Sequence, residues 1–141
     1  MMSRLMSQPL SDRSYQALAR FRHALRVFQR FSEDAARDAG LTPAQHQLLL
    51  AIRGHPGPGV PSLSDIAAML QLRLHSAGEL VGRAEDKGLV VREADPDDNR
   101  RALLRLTEKG EARLADLSVL HRQELRRFRE EMTDVLRELD G

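Results

Sequence analysis

The sequence has no cysteine and no tryptophan, a single tyrosine and only two lysines, Lys87 and Lys109. The absence of cysteine excludes disulfide bonds, thiolate metal sites and cysteine-based redox sensing. Five histidines are present, but they are scattered without the spacing that metal ligands usually show. We therefore expect neither a metal site nor a cofactor.

The sequence also has no long apolar run, since no segment approaches the ~20 apolar residues that a membrane-spanning helix needs. The first residues, MMSRLMSQPLSD, contain no apolar core of the kind found in a signal peptide. From these two features we expect a cytoplasmic protein with no membrane partner.

A strong charge of either sign is missing too, because the formal net charge is only +1. Nucleic-acid binders usually carry a basic excess, since contacts to phosphates dominate their affinity. A DNA-binding function would therefore depend on where individual arginines lie. Arginine supplies nearly all of the positive charge, and it suits bidentate contacts to phosphate and guanine. The base composition of the genome would explain the same bias equally well.

Motifs of catalysis are absent as well. The sequence has no nucleophile motif, no phosphate-binding glycine loop after a strand, and no paired carboxylates in an apolar setting. We therefore predict that the protein is not an enzyme. Its 141 residues suit one domain that is large enough to bury a core.

The stretch from Leu63 to Thr107 has the order of a helix-turn-helix followed by a wing, a unit that places one helix in the DNA major groove. A short helix is predicted after a capping box at Ser62–Asp65, and a turn at Gln71–Leu74 follows it. The next helix ends at Lys87-Gly88, where glycine suits the C-terminal cap. Its start is open: a capping box at Ser76–Glu79 and an earlier start at Arg73 both fit.

A charged hairpin completes this stretch. Leu89–Glu93 and Ala102–Leu106 are short β-prone runs, and the turn-forming sequence ADPDDNRR separates them. Two such short strands need support from the helices to be stable.

Long amphipathic helices are predicted on both sides of that stretch. The first begins at Asp12 or Ser14 and ends near Ala39–Gly40, and a second, shorter helix starts with a capping box at Thr42–Gln45. The last helix is capped by Thr107, with a break near Ser118–His121. Apolar residues recur at three- and four-residue spacing in the two long helices: Leu18, Phe21, Leu25, Phe28 and Phe31 in the first, and Leu114, Leu117, Leu125, Phe128, Met132, Val135 and Leu139 in the last.

These apolar seams exceed what one small core needs, so we predict that they form a two-fold dimer interface that sets two recognition helices about one DNA turn apart, ~34 Å. The alternative is that the terminal helices pack on their own core. His121 falls on the seam, where a satisfied structural histidine and a pH switch are the two interpretations.

In order and spacing, these pieces resemble the MarR (multiple antibiotic resistance regulator) family. The most specific match is Asp98-Asn99-Arg100 followed by Leu106-Thr107-Glu108-Lys109-Gly110, and LSDIAAMLQL with EDKGLV supports it. The resemblance implies a mostly α fold with a small β-hairpin wing. The resemblance covers roughly Tyr15 to Leu139. We predict one domain over residues 1–141, with a flexible tail at 1–11, dimerisation helices at 12–40 and 107–141, and a winged helix-turn-helix DNA-binding lobe at 41–106.

The wing carries the first candidate DNA contacts. An arginine at a hairpin tip can enter the narrow, electronegative minor groove. We expect Arg100 to do so, with Asp98 orienting its guanidinium group. Arg101 is a candidate phosphate contact. The alternative is a solvated turn, because DPDDN is also favourable turn chemistry.

The recognition helix carries the remaining candidates. His75, Ser76 and Glu79 project away from its buried stripe and are the candidate base readers, with Arg73 and Arg83 on phosphates. Glu79 departs from the small polar or basic residue that the family leads us to expect; it would accept from a cytosine amino group or cap the helix. Gly78 and Gly82 would permit close approach of DNA or of a neighbouring helix.

The resemblance further implies a small phenolic or anionic effector, for which Arg20, His23, Arg26 and His46 are candidate lining residues. We therefore predict a homodimeric transcriptional repressor that binds a pseudo-palindromic double-stranded operator. The competing hypothesis is a helical dimeric adaptor that uses the winged helix for protein contacts.

Overall fold

The computed structural model describes residues 9–140, which form five helices and one two-stranded antiparallel hairpin. The predicted tail at residues 1–11 lies outside the described residues except for 9–11. The elements are α1 (Asp12–Asp38), α2 (Pro43–Arg53), α3 (Leu63–Leu70), α4 (Leu74–Asp86), β1 (Val90–Asp95), β2 (Asp98–Leu106) and α5 (Glu108–Asp140). The chain divides into two compact units: a winged-helix unit, Glu33–Val119, and a helix-pair unit that comprises the described residues up to Ser32 and those from Leu120.

Reciprocal caps begin α2 and α3, as the sequence predicts. The Thr42 hydroxyl accepts from the Gln45 backbone N–H, and the Gln45 side chain accepts from the Thr42 N–H, at 3.1 and 3.0 Å. Ser62 and Asp65 repeat this arrangement at the start of α3. Each box satisfies amides that helix geometry leaves without partners, so both helix starts are fixed by local chemistry.

The turn between α3 and α4 is short and left-handed at Gln71, with φ of +56°. Leu74 already belongs to α4, and Arg73 is the N-cap residue, although its side chain makes no capping hydrogen bond. The earlier of the two predicted starts is therefore confirmed, and the capping box at Ser76–Glu79 is wrong because both residues lie within the helix.

The hairpin is longer than the sequence predicts. Its strands pair from Val90 opposite Leu106 as far as Asp95 opposite Asp98, so most of ADPDDNRR is strand and only Pro96 and Asp97 form the turn. Proline suits the first turn position because its φ is already fixed. The register shifts between Ala94, opposite Ala102, and Asp95, opposite Asp98, so the hairpin is irregular beside the turn.

One apolar core holds the winged-helix unit together. Leu48 and Leu49 of α2, Val81 of α4 and Leu104 of β2 are fully buried in it, at 0% exposure. The hairpin is also tied through its backbone, because the Leu104 N–H donates to the Pro61 carbonyl at 2.9 Å. The weak hairpin thus gains its stability from the helices.

A close junction joins α4, the wing and α5. The Thr107 N–H donates to the Leu89 carbonyl at 3.0 Å, and the Thr107 hydroxyl donates to the Gly88 carbonyl at 2.6 Å. The same hydroxyl caps α5 by accepting from the Gly110 N–H. Gly110 lies against Leu89 so closely that an added Cβ would fall well inside van der Waals distance of the Leu89 carbonyl oxygen.

In the helix-pair unit, α1 and α5 run antiparallel, since Arg13 pairs with Glu138 while Ser32 meets His121. The His121 Nε2 lies 2.8 Å from the Ser32 Oγ, and its ring packs edge-on against Phe28 and Phe31. These contacts favour the structural interpretation of His121.

The predicted break near Ser118–His121 is wrong, because α5 is continuous from Glu108 to Asp140. The Ser118 hydroxyl donates to the Leu114 carbonyl one turn earlier at 2.7 Å, so this polar residue is accommodated within the helix. Among residues 9–140, no helix is both long enough and apolar enough to cross a membrane.

The two helical glycines Gly110 and Gly82 provide a matched stability test. Gly110→Ala should destabilise the fold by about 2 kcal/mol or more, because the new methyl group overlaps the Leu89 carbonyl. Gly82→Ala should instead stabilise it by about 1 kcal/mol, since nothing lies within 4 Å of the added Cβ. Urea unfolding followed by circular dichroism measures both, and equal effects would contradict the close contact.

Candidate nucleic-acid interface

The wing tip is built by two aspartates that hold the turn. The Asp95 Oδ1 accepts from the Asp97 N–H at 2.9 Å, and the Asp98 Oδ1 accepts from the Arg100 N–H at 3.0 Å. The same Asp98 oxygen lies 3.3 Å from the Arg100 Nε. The Arg100 side chain is 92% exposed. Arg100 is thus a solvated cation, and Asp98 contacts both its backbone N–H and its Nε. The sequence predicts this pairing of Asp98 with Arg100.

Arg101 points into a different environment. Its guanidinium nitrogens lie 3.6 Å from the Asp95 Oδ2 and 4.0 Å from the Asp65 Oδ2, and the side chain is half-exposed. Arg101 therefore links the wing to the start of α3 through two carboxylates. Its contact with a DNA phosphate stays a prediction.

Asp65 carries several roles at once. Its pKa is lowered from the ordinary value of 3.8, first because the Ser62 backbone N–H donates to the carboxylate, and further through the Ser62 hydroxyl and the electrostatic effect of His55 and Arg101. Partial burial acts in the opposite direction. The ionised carboxylate thus helps to hold both the helix start and the wing arginine.

The outer face of α4 presents the predicted polar residues to solvent. Arg73, His75, Ser76, Glu79 and Arg83 are all exposed, while Ala77, Val81 and Ala84 are buried. The His75 Nε2 lies 3.0 Å from the Glu79 Oε1. Glu79 therefore pairs with a second candidate reader one turn away and does not cap the helix.

The glycines of α4 do not serve close packing within the described residues. A Cβ at Gly78 would make only an ordinary contact with the Leu63 side chain, and one at Gly82 would meet nothing within 4 Å. Of the two interpretations, close approach of a neighbouring helix is thus unsupported in the winged-helix unit.

Two features of this face were missed by sequence reasoning. Leu72, which precedes α4, and Leu74, its first residue, are 38% and 55% exposed beside the candidate readers. The available signal was that neither leucine belongs to the buried apolar stripe of α4. Arg92 of β1 reaches the Glu85 carboxylate of α4 at 3.1 Å. No sequence pattern indicates that contact, because it depends on how the hairpin packs on the helix.

The candidate effector residues divide between the units. Arg20, His23 and Arg26 are exposed on α1 in the helix-pair unit, where Arg20 lines a shallow depression with Arg13, Gln16 and Glu138. His46 is buried on α2 in the winged-helix unit, at 3% exposure. Over residues 9–140, no group of three or more His, Cys, Asp or Glu side chains is placed to hold a metal ion.

Comparison with protein families matches residues 39–101 to the MarR family. A putative transcriptional regulatory protein for the hcr operon of Thauera aromatica is 32% identical over 94 residues, which are 67% of this chain and 55% of that protein. The transcriptional regulator HosA of Escherichia coli O111:H- is 39% identical over 75 residues, 53% of each chain. The chain thus spans about half the length of these curated relatives.

Solved structures share the fold. AbsC, a MarR family transcriptional regulator from Streptomyces coelicolor, aligns with a TM-score of 0.73 at 24% identity over 94% of this chain and 90% of its own. A point mutant of S. aureus MepR bound to an oligodeoxyribonucleotide gives 0.68 at 22%, over 89% and 97%. BpsR of Bordetella bronchiseptica, whose DNA binding 6-hydroxynicotinic acid regulates, gives 0.63 at 23%, over 85% and 95%.

The lowered pKa of Asp65 predicts a pH-dependent contribution to stability. The ionised carboxylate stabilises the fold at pH above its ordinary pKa of 3.8, and the contribution is lost as the pH falls through the lowered value. Asp65→Asn should therefore cost less than about 1 kcal/mol at pH 7, the side chain being partly screened by solvent, and the difference should vanish in acid.

Chemical unfolding between pH 7 and pH 2 measures this difference. Asp116→Asn, which removes an exposed carboxylate from α5, is the control and should follow the wild-type curve. A cost of Asp65→Asn that stayed constant over the whole pH range would contradict the charge-based explanation.

Proposed function

Since the chain belongs to the MarR family of winged-helix transcription regulators, we propose that it is a homodimeric repressor that binds a pseudo-palindromic operator in double-stranded DNA. Membership of a family of regulators also confirms the prediction that the chain is not an enzyme. We place its action in the cytoplasm, together with the DNA that it would control.

The observation that carries this proposal is the exposure and orientation of the Arg100 side chain. Arg100 is the wing-tip arginine, it is 92% exposed, and Asp98 holds its Nε and backbone so that the guanidinium group faces outward. A pre-oriented cation of this kind suits the narrow minor groove, where the potential is most negative. Part of the entropy of ordering this side chain is already lost before DNA binds.

The exposed face of α4 would occupy the major groove. Glu79, whose Oε1 pairs with His75, would accept from a cytosine amino group through its carboxylate, and His75 and Ser76 lie on the same face. Arg73 and Arg83 flank these residues and would contact phosphates, together with Arg101 at the wing. The near-neutral net charge is compatible with DNA binding, because the affinity would depend on the local contacts of these exposed arginines and not on the average charge of the chain.

The helix-pair unit supports the dimer. Large apolar side chains stay exposed on it, at 38–60%, as is usual for a surface that a partner covers. They are Tyr15, Leu18, Val27, Leu120, Leu125, Leu136 and Leu139. A second copy of this chain, related by two-fold symmetry, would bury them and set the spacing of the two recognition helices.

A small phenolic or anionic effector is the proposed signal. BpsR, a protein of the same fold, responds to 6-hydroxynicotinic acid, which is such a molecule. Three exposed basic residues of α1, namely Arg20, His23 and Arg26, are available to an anion, whereas the buried His46 would act only from within the winged-helix unit.

DNA binding is tested with the intergenic DNA beside the protein's own gene, by fluorescence polarisation over about 50–200 mM salt. Wild-type protein should bind in a salt-sensitive, palindrome-dependent manner. Arg100→Ala should weaken binding by about tenfold or more, because each half-site loses a minor-groove contact, while the dimer stays intact. Arg127→Ala, which removes another well-exposed arginine, at 75%, from α5, is the control and should bind as wild type.

An unchanged affinity of Arg100→Ala would remove the wing from the mechanism. Failure of a clean wild-type dimer to bind any such fragment would contradict the regulator and favour the adaptor hypothesis.

The dimer is tested by light scattering after size exclusion. Wild type should elute at twice the protomer mass of 15.9 kDa. Leu125→Glu combined with Leu136→Glu should shift the protein toward the monomer, because each carboxylate would have to be buried in an apolar interface. Gln123→Glu, on an exposed position of the same helix, should leave the mass unchanged. A monomeric wild type would contradict the proposed dimer.

A further inference from the structure

A polar bridge connects the wing to the recognition helix at a place that the proposed DNA contacts do not use. The Arg92 Nη2 of β1 lies 3.1 Å from the Glu85 Oε1 and, at a longer 3.5 Å, donates to the backbone carbonyl of Gly78. The side chains of Arg92 and Glu85 are only 36% and 34% exposed. This pair is thus more shielded than the ion pair of Arg105 and Glu93 on the same hairpin, at 54% and 47%.

The two acceptors lie seven residues apart on α4, which is two helical turns on one face. One guanidinium nitrogen, Nη2, therefore contacts the helix at two levels through its two N–H donors. Gly78 also lies between the candidate readers Ser76 and Glu79. The bridge thus holds the reading segment of the helix directly, and through Arg92 it connects that segment to the strand that leads into the wing.

Apolar contacts also join α4 to the hairpin. Val81, Ala84, Leu89 and Val90 are buried in the common core. Such contacts bring the elements together without directional preference, whereas a hydrogen-bonded ion pair is directional. The start of α4 adds little restraint, because its N-cap residue, Arg73, makes no side-chain capping bond.

We propose that Arg92 is a positioning residue, which uses Glu85 and the Gly78 carbonyl to set the recognition helix relative to the wing. The α4 readers and Arg100 then meet the major and minor grooves at the same time. This role rests on the proposed DNA-binding function. A wrong angle would cost specific binding most, because base contacts need precise geometry while phosphate attraction does not.

Glu85 distinguishes this role from a direct contact between Arg92 and a phosphate. Removing a carboxylate beside a phosphate-binding arginine should strengthen DNA binding, since the competitor for the cation is gone. Removing it from a positioning bridge should weaken specific binding, although the protein becomes less negative. The two mechanisms therefore predict effects of opposite sign for one variant.

The experiment uses the full chain and a labelled duplex selected from random sequences by the wild-type protein, with a scrambled duplex as the non-specific probe. Arg92→Ala and Glu85→Ala should each weaken binding to the selected duplex by about fivefold, the effect of one part-exposed charge-assisted hydrogen bond. The double variant should be no worse than either single one, because both remove the same bridge.

Three further readouts separate positioning from general destabilisation. Glu85→Ala should leave binding to the scrambled duplex and the salt slope at wild-type values. Arg92→Lys should restore part of the lost affinity, because it keeps the charge but not the forked geometry. Glu93→Ala makes the same charge change on the same hairpin without touching α4, and its ratio of specific to non-specific affinity should equal that of wild type.

Tighter binding by Glu85→Ala, with a salt slope lowered by about 1 in Arg92→Ala, would overturn the proposal in favour of a phosphate contact. Wild-type affinity in both single variants would overturn it as well. Failure of the wild-type protein to select any duplex would instead overturn the proposed function on which it rests. If Arg92→Ala does not fold, Glu85→Ala and Arg92→Lys decide alone.

Discussion

The winged-helix unit depends on the close backbone contact between Leu89 and Gly110. The end of α4, the start of β1, the end of β2 and the start of α5 all lie next to this contact. One junction therefore sets the positions of four elements relative to one another. The Thr107 hydroxyl completes it by donating to the Gly88 carbonyl and accepting from the Gly110 N–H. A side chain at position 110 would force these backbones apart. The Leu-Thr-x-x-Gly pattern therefore has a steric cause as well as a capping one.

From that junction the hairpin projects with its arginines in unequal environments. Arg92 contacts α4 and is 36% exposed, Arg101 lies between two carboxylates, and Arg100 alone of these three is almost fully solvated. The arginines of this nearly neutral protein thus have different roles. Arg92 and Arg101 hold parts of the winged-helix unit together, and Arg100 remains available to an anion. The net charge of +1 says little about binding, because it averages over these environments.

Local chemistry explains where sequence reasoning succeeded. The two capping boxes at Thr42 and Ser62 and the cap at Thr107 involve residues within three positions of each other, so their contacts form whenever the helix does. The misjudged features have other causes. Asp95 pairs with Asp98 beyond a register shift in the hairpin, which no sequence pattern indicates, and α5 runs through Ser118 because its hydroxyl donates to the Leu114 carbonyl within the helix.

By itself, then, the sequence determined the order of helices and strands, their caps, the wing motif and the family resemblance, since periodicity and short-range hydrogen bonding are written in neighbouring residues. It also placed the candidate readers His75, Ser76 and Glu79 on one exposed face of a helix. Only the tertiary structure decided which arginine is solvated, that Glu79 pairs with His75, and that Arg92 bridges to Glu85. The physical reason is that an ion pair between elements exists only after the apolar core has set their distance, and sequence separation does not encode that distance.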